Sequence, residues 1–215
     1  MARKVFVSFR YSDGIKYKEK LEDVFGKSTE IINCSEDEDR SDKTDDTIQK
    51  YLYDKLRGTS VTIVLLTPNA IKHRKDCYGK YDDWIYDEIR FSLEDRERNR
   101  CNGLVAVYTE EAKRFLITEC VHRCDKCNSE SISYSIKEVD NLFRKNMMNV
   151  KEKYKKCKCD GLFDSNYDSY CSLVSWEDFI KKPEKYIDIA IEKRENVDRY
   201  ELKKRINSSS RYNYF

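Results

Sequence analysis

Short apolar runs alternate along the chain with segments of helical spacing, which predicts parallel β-α-β units. Five of the runs predict strands: Val5–Phe9, Glu30–Cys34, Ser60–Thr67, Gly103–Thr109 and Ser172–Trp176. Val5–Phe9 and Val61–Leu66 are apolar almost throughout, which is typical of strands that are covered on both faces. We therefore expect an α/β fold in which about five parallel strands form a sheet flanked by helices, with these two as inner strands.

The segments between the predicted strands carry apolar residues at helical spacing. Ser12 or Asp13 can cap a first helix, which Gly26 would end. A later helix is predicted over Trp84–Arg98, and a last helix begins at Pro183. The core faces of these three helices are expected at Tyr17, Leu21, Val24 and Phe25; at Ile85, Ile89 and Leu93; and at Tyr186, Ile187, Ala190, Ile191 and Val197.

The composition favours one globular domain in the cytoplasm. The 215 residues include 38% charged residues of mixed sign with a net charge of +2, so nothing indicates a nucleic-acid partner. No apolar run approaches the ~20 residues of a membrane helix, and the opening residues lack the apolar stretch of a signal peptide. We expect no membrane partner, and we expect the nine cysteines to be free thiols or metal ligands.

The segment between the last two predicted strands is longer than an ordinary connection. It covers residues 110–171 and holds six of the nine cysteines. We therefore predict a single domain over residues 1–206 that contains a cysteine-rich insertion at 110–171. An irregular C-terminal tail is predicted at 207–215.

Paired cysteines in this segment are candidate metal ligands. The spacing Cys124-x-x-Cys127 is a recurrent half of a zinc site, and Cys157-x-Cys159 is a less common one. Together the four thiolates would hold a structural zinc ion. The alternative is a set of reduced, free cysteines on a variable surface. A redox role is disfavoured because the Cys124-x-x-Cys127 motif does not follow a strand at the start of a helix.

Three motifs stand out in the first half of the chain. The first is Lys4–Asp13 (KVFVSFRYSD), an apolar strand that ends in Ser-Phe and is followed by a basic residue, Tyr and Asp. The second is the strand Val61–Leu66 with Thr-Pro-Asn directly after it. The third is a helix with Trp84 and Glu88 in the pattern Trp-x-x-x-Glu, followed by the strand Leu104–Tyr108. In this order and spacing the motifs resemble the TIR-like family, and more closely the TIR-like proteins of bacterial Thoeris anti-phage defence.

The resemblance extends over about residues 3–109 and implies both a fold and an activity. The implied fold is a flavodoxin-like TIR-like domain, and the implied activity is cleavage of the nicotinamide–ribose bond of NAD. The products would be ADP-ribose or a cyclic ADP-ribose-type signal that a downstream effector reads during anti-phage defence. Self-association is also implied. The resemblance makes Glu88 the counterpart of the family's catalytic glutamate.

The chemistry of this cleavage suits a carboxylate at position 88. Trp84 and Glu88 are four residues apart on the predicted helix and therefore share a face. That face lies beside the core stripe, so we expect the carboxylate at the edge of the core, where it is partly desolvated. Loss of nicotinamide passes through an oxocarbenium-like sugar, which one carboxylate can stabilise without a general acid or a metal. The alternative is a solvated glutamate on a highly charged helix.

The turn after the first strand is the expected binding site for NAD, because ligands of open α/β sheets bind at the carboxyl ends of the strands. Phe9 and Tyr11 can stack on nicotinamide or adenine, and Arg10 can meet the pyrophosphate. The chain has no GxGxxG loop, which argues against a conventional dinucleotide site. The residues predicted to line the cleft around Glu88 are Ser8 at its floor, Phe9, Arg10, Tyr11, Asp13 and Trp84.

Other functions fit the sequence less well. A TIR-like module used only for protein assembly would have no need of Glu88, and it stays the main alternative. A receiver-like phosphoacceptor needs an Asp after the middle strand, where this chain has Thr67-Pro68. A histidine-based mechanism has only His73 and His122 to draw on. Whether NAD is hydrolysed or cyclised depends on the access of water to the site and not on the identity of the predicted site residues.

Overall fold

The computed structural model describes residues 3–34, 45–71, 84–95, 100–136, 141–155, 164 and 166–205. Its strands are β1 (Arg3–Ser8), β2 (Ile31–Asn33), β3 (Val61–Leu66), β4 (Gly103–Tyr108), β5 (Ile117–Arg123), β6 (Glu130–Ile136) and β7 (Cys171–Ser175). Its α-helices are α1 (Tyr11–Phe25), α2 (Asp45–Arg57), α3 (Pro68–Ile71), α4 (Trp84–Leu93), α5 (Glu110–Leu116), α6 (Asn141–Lys145), α7 (Trp176–Lys181) and α8 (Pro183–Glu195). None of the described helices is long and apolar enough to cross a membrane.

Five of the strands form one parallel sheet in the order β2-β1-β3-β4-β7. This is the order of a flavodoxin-like fold, in which helices cross over on both faces. The predicted α/β class is therefore confirmed, and so are the positions of β1 and β3 inside the sheet. All five predicted strands are present, with ends within two residues of the predicted ones.

Helices cover both faces of this sheet. On one face α1, α7 and α8 pack against alternate side chains of β1, β3 and β4, with Leu21, Phe179 and Ile187 among the buried contacts. On the other face α4 supplies Ile89 to a large core over β3 and β4. Because successive side chains of a strand point to opposite faces, Phe6 of β1 lies on this second face, where it packs with residues of α2 and α4.

The approach of α8 to β4 is unusually close. A Cβ atom at Gly103 would lie 2.2 Å from the backbone oxygen of Ala190, so the strand needs glycine where the helix crosses it. Almost one turn further along α8, Lys193 is buried, and its Nζ donates a 2.7 Å hydrogen bond to the Ser172 hydroxyl of β7. The helix therefore brings an amine into the interior of the fold.

Two predicted helix boundaries are wrong. α1 begins at Tyr11 with Arg10 at its N-cap, so Ser12 and Asp13 lie in the first turn instead of capping the helix. α4 ends at Leu93 and does not extend to residue 98. It ends there because the backbone oxygen of Ser92 accepts the N–H of Asn102 at 2.6 Å, which turns the chain back towards β4.

The segment between β4 and β7 contributes to the main core. Leu116 of α5 and Leu142 and Phe143 of α6 are fully buried against the side chains of β3 and β4. β5 and β6 form a separate antiparallel hairpin whose β5 side chains are mostly exposed. That residues 110–171 are an insertion stays a prediction.

Candidate functional site

The carboxyl edge of the sheet is where the predicted site residues lie. β1 ends at Ser8, and α1 follows after a short turn. Thr67 joins the end of β3 to α3, and Thr109 joins the end of β4 to α5. In open α/β sheets this edge is the usual place for a ligand, because the connections that follow the strands surround it.

Asp13 links the β1–α1 turn to the end of β3. Its two carboxylate oxygens accept hydrogen bonds from the Thr67 hydroxyl at 2.7 Å and from the Asn69 backbone N–H at 2.8 Å. The Asn69 side-chain amide also donates to the Ser12 hydroxyl at 3.1 Å. These contacts hold the turn against β3. Thr67 and Asn69 belong to the second sequence motif but were not predicted as site residues, although polar residues directly after a buried strand are the signal that would have found them.

The two aromatic residues of the turn pack against each other. The ring centroids of Phe9 and Tyr11 are 5.0 Å apart, and the planes are tilted by 39°. Phe9 also packs on the α1 side of the sheet, where a Cβ atom at Gly14 would come within 3.2 Å of its side chain. Arg10 lies between these two residues in the sequence. Its backbone is extended, and the residue is partly buried. The turn therefore holds an aromatic pair and a guanidinium group at the carboxyl edge.

Glu88 is buried on α4, which packs against β3 and β4 on the face of the sheet opposite to Phe9. The same helix reaches Phe6 of β1 through Phe91. Its exposure is 8%, so it is more deeply buried than a position at the edge of the core suggested. Four residues later, the Ser92 hydroxyl donates to the Glu88 backbone oxygen at 2.7 Å and shares a 2.7 Å hydrogen bond with the Thr62 hydroxyl. α4 runs opposite to the strands it connects, so Glu88 lies about 6 Å nearer the carboxyl edge than Ser92.

Ser8, which lies on β1, is at about the same distance from the carboxyl edge of the sheet as Glu88. Thr62 is in register with Phe6, and Ser8 follows Phe6 by two residues, which is about 6.6 Å along the strand. The same alternation puts Ser8 on the face that α4 covers. Ser8 is 1% exposed, and its hydroxyl has no hydrogen-bond partner within the described ranges. The strand and the helix therefore bring Ser8 and Glu88 to one height at the carboxyl end of β1.

Trp84 is the first residue of α4, one turn before Glu88, and so lies at the carboxyl edge. Its side chain is outside the described part of the chain, and the predicted contact between its indole and the site stays a prediction. Of the predicted residues, the structure thus assembles two groups at the carboxyl edge: Phe9, Arg10, Tyr11 and Asp13 around the β1–α1 turn, and Ser8 and Glu88 where α4 packs on the sheet.

A second cluster at this edge was not predicted. The Tyr17 hydroxyl donates to a Glu111 carboxylate oxygen at 2.9 Å, and the Tyr17 ring meets Trp176 edge-on with centroids 4.8 Å apart. Burial raises the pKa of Tyr17, and the hydrogen bond to Glu111 raises it further. The backbone N–H of Glu111 lowers the pKa of that carboxyl group, and the Tyr17 hydroxyl adds to the effect. The cluster ties α1 to α5 and α7.

The candidate zinc ligands are only partly covered by the structure. Cys124 is buried and Cys127 is exposed, and both lie where β5 turns into β6. Cys157 and Cys159 lie outside the described residues. Within the described ranges, no three His, Cys, Asp or Glu side chains come together as a metal site. The four-cysteine zinc site stays a prediction.

Comparison with known proteins supports the family resemblance. Residues 6–114, a little over half of the chain, match the family model of the Thoeris protein ThsB, TIR-like domain. Among solved structures, the chain is similar to the TIR domains in the activated Roq1 resistosome that directly recognizes the pathogen effector XopQ. That match has 17% identity and a TM-score of 0.32, and it covers 51% of this chain and 58% of the other. On the strength of the family match, this chain belongs to the Thoeris ThsB family of TIR-like domain proteins.

Proposed function

We propose that this protein cleaves the nicotinamide–ribose bond of NAD, with Glu88 as the catalytic carboxylate. The observation that carries the proposal is the burial of Glu88 close to the carboxyl edge of the sheet. The residue is 8% exposed and lies about as far from that edge as Ser8. Carboxylates are rarely buried in proteins, and buried ones near ligand-binding edges are frequent functional groups. Family membership agrees with this choice, because Glu88 stands in the Trp-x-x-x-Glu helix that the resemblance singles out.

The proposed chemistry needs one negative charge and a shielded site. As the bond between nicotinamide and C1′ of the ribose breaks, nicotinamide takes the electron pair and leaves as a neutral molecule. The ribose then carries an oxocarbenium-like positive charge, which the Glu88 carboxylate stabilises more strongly in a low-dielectric site than in water. Water adds to C1′ and releases a proton to give ADP-ribose, or an adenine nitrogen attacks C1′ to give a cyclic product. Access of water decides between them.

The β1–α1 turn supplies the proposed binding groups for the rest of NAD. The Phe9–Tyr11 pair offers ring faces for a base, and the Arg10 guanidinium is suited to bidentate contact with the pyrophosphate. Trp84 would extend this aromatic surface towards Glu88. Asp13 acts through its hydrogen bonds to the end of β3, which keep the turn in place.

We propose a role in anti-phage defence on the basis of the family. The product, ADP-ribose or a cyclic ADP-ribose-type molecule, would be the signal that a downstream effector reads. NAD is then the substrate and not a resident cofactor. The site would operate in the cytoplasm, where NAD is available.

The test is incubation of purified protein with NAD, followed by mass spectrometry of the products, with and without a filtrate of phage-infected cells that carry the protein. Glu88→Gln should reduce turnover by about 100-fold, the scale of losing a main electrostatic stabiliser. Asp87→Asn is the matched control: it removes a charge one residue away, on a carboxylate that pairs with Arg90, and should keep turnover. Full turnover by folded Glu88→Gln would contradict the assignment. Inert wild-type protein in both conditions would instead favour an assembly module.

A further inference from the structure

The β5–β6 hairpin exposes a strand edge and an apolar pair. Within the described part of the chain, its sheet consists of these two strands. Val121 of β5 lies directly opposite Ile132 of β6, and the two side chains are 69% and 46% exposed. The β5 sequence ITECVHR contains neither proline nor lysine, the residues that most often protect an open edge. Such an edge is a template for another strand.

The charges on β5 are arranged symmetrically about Val121. Glu119 precedes Val121 by two residues and Arg123 follows it by two, so all three side chains lie on one face of the hairpin. If β5 pairs antiparallel with a second β5 about an axis at Val121, Glu119 of each copy lies opposite Arg123 of the other. One strand therefore carries both halves of two identical ion pairs.

We propose that β5 pairs with β5 of a second copy of this chain, in antiparallel register about Val121, to form a four-stranded sheet. The pairing sets Ile132 and Val121 of one copy beside Val121 and Ile132 of the second in one continuous apolar row. Arg123, whose Nε donates to the Asn128 side chain within its own chain, then lies between Glu130, its cross-strand neighbour, and Glu119 of the second copy. The Glu119 carboxylate lies 3.8 Å from the Lys113 Nζ in its own chain, so the pairing adds Arg123 of the second copy as a further partner. Opposite charges and apolar pairs directly across strands both stabilise a sheet.

The β5 edge fits a second copy better than the β6 edge does. The β6 sequence ESISYSI has one acidic residue, Glu130, and no cation to meet it in a symmetric pair. Pairing of β5 with β6 of another chain would leave one edge open on each copy and would propagate into a filament. Symmetric β5 pairing uses the same edge of both chains, so the assembly stops at a dimer.

Sedimentation velocity across a wide range of protein concentration tests the proposal. Wild type should show a concentration-dependent dimer, and either E119R or R123E should weaken it by about tenfold or more, because each change sets like charges opposite each other at two places. An equimolar mixture of E119R and R123E should recover the dimer, since Arg then meets Glu at both places. Glu19→Arg makes the same charge change at an exposed site of α1 and should leave the dimer intact.

A further variant and a folding measurement distinguish loss of the dimer from unfolding of the β5–β6 hairpin. Val121→Lys sets two ammonium groups at the proposed axis and should abolish the dimer while Glu119 and Arg123 are unchanged. Hydrogen exchange at residues 117–123 reports whether the hairpin survives in each variant. A wild type that stays monomeric throughout overturns the proposal. So does a dimer that Val121→Lys leaves intact, or one that the folded mixture of charge variants fails to restore.

Discussion

Replacing Lys193 by methionine should remove a large pH dependence from the stability of the fold. The Lys193 side chain is 2% exposed on α8, and its Nζ donates to the Ser172 hydroxyl. Burial lowers the pKa of the amine to about 7, while nearby groups raise it in part: Cys171, Asp164, Glu192 and Asp168. Methionine has a similar length and no charge, so it fills the same space without the cost of burying an ammonium group.

The size of the effect follows from the two pKa values. The amine titrates near 7 in the folded chain, against an ordinary value of 10.5 when it is exposed. Between these values the unfolded chain binds one more proton than the folded chain, so the free energy of unfolding rises with pH. The slope is about 1.4 kcal/mol per pH unit, or roughly 3 kcal/mol between pH 6 and pH 9. Below pH 7 both states are protonated, and the contribution is flat.

Urea unfolding of wild type and Lys193→Met at several pH values measures this term directly. The stability advantage of the variant should be largest at pH 6 and should fall by roughly 3 kcal/mol by pH 9. Loss of the hydrogen bond to Ser172 changes the difference in unfolding free energy between variant and wild type by the same amount at every pH. It therefore leaves the pH dependence of that difference unchanged. Lys185→Met, at an exposed position of the same helix, is the control and should give a flat difference. A flat difference for Lys193→Met would show that the amine does not titrate near neutral pH, and the reasoning from its burial would be wrong.

Three further predictions concern stability and metal content. Thr67→Val should lower the free energy of unfolding by about 1–2 kcal/mol, because it removes the buried donor to Asp13; denaturant midpoints measure this, and an unchanged midpoint would contradict the role of the contact. Gly103→Ala should cost about 3 kcal/mol by the same assay, because its Cβ collides with the Ala190 backbone, and a neutral substitution would mean that α8 moves freely away from β4. Metal analysis of protein purified without chelator should find about one zinc per chain, lost when both cysteine pairs are replaced. Absence of zinc would leave four free thiols: Cys124, Cys127, Cys157 and Cys159.

The sequence by itself determined the sheet and its class. A strand that is covered on both faces must be apolar along its whole length, and Val61–Leu66 is buried at every position, as its sequence predicts. The order of apolar runs and helical stripes was enough to predict parallel crossovers, because short chain segments join neighbouring elements. Helix boundaries depended on tertiary contacts: α4 ends at Leu93 because a backbone contact with Asn102 competes with the next helical turn.

Only the tertiary structure decided which polar groups are buried and what they contact. Lys193 stands in a highly charged stretch that suggests a solvated face, and Glu88 was expected only at the edge of the core, yet both are nearly inaccessible. Asp13 finds its partner Thr67 across a separation of 54 residues, which local spacing cannot indicate. Ser8 and Glu88 lie at similar distances from the carboxyl edge because α4 packs on the sheet antiparallel to its strands. Periodicity reports which face of an element is apolar, but the partner of a polar side chain depends on elements that are distant along the chain.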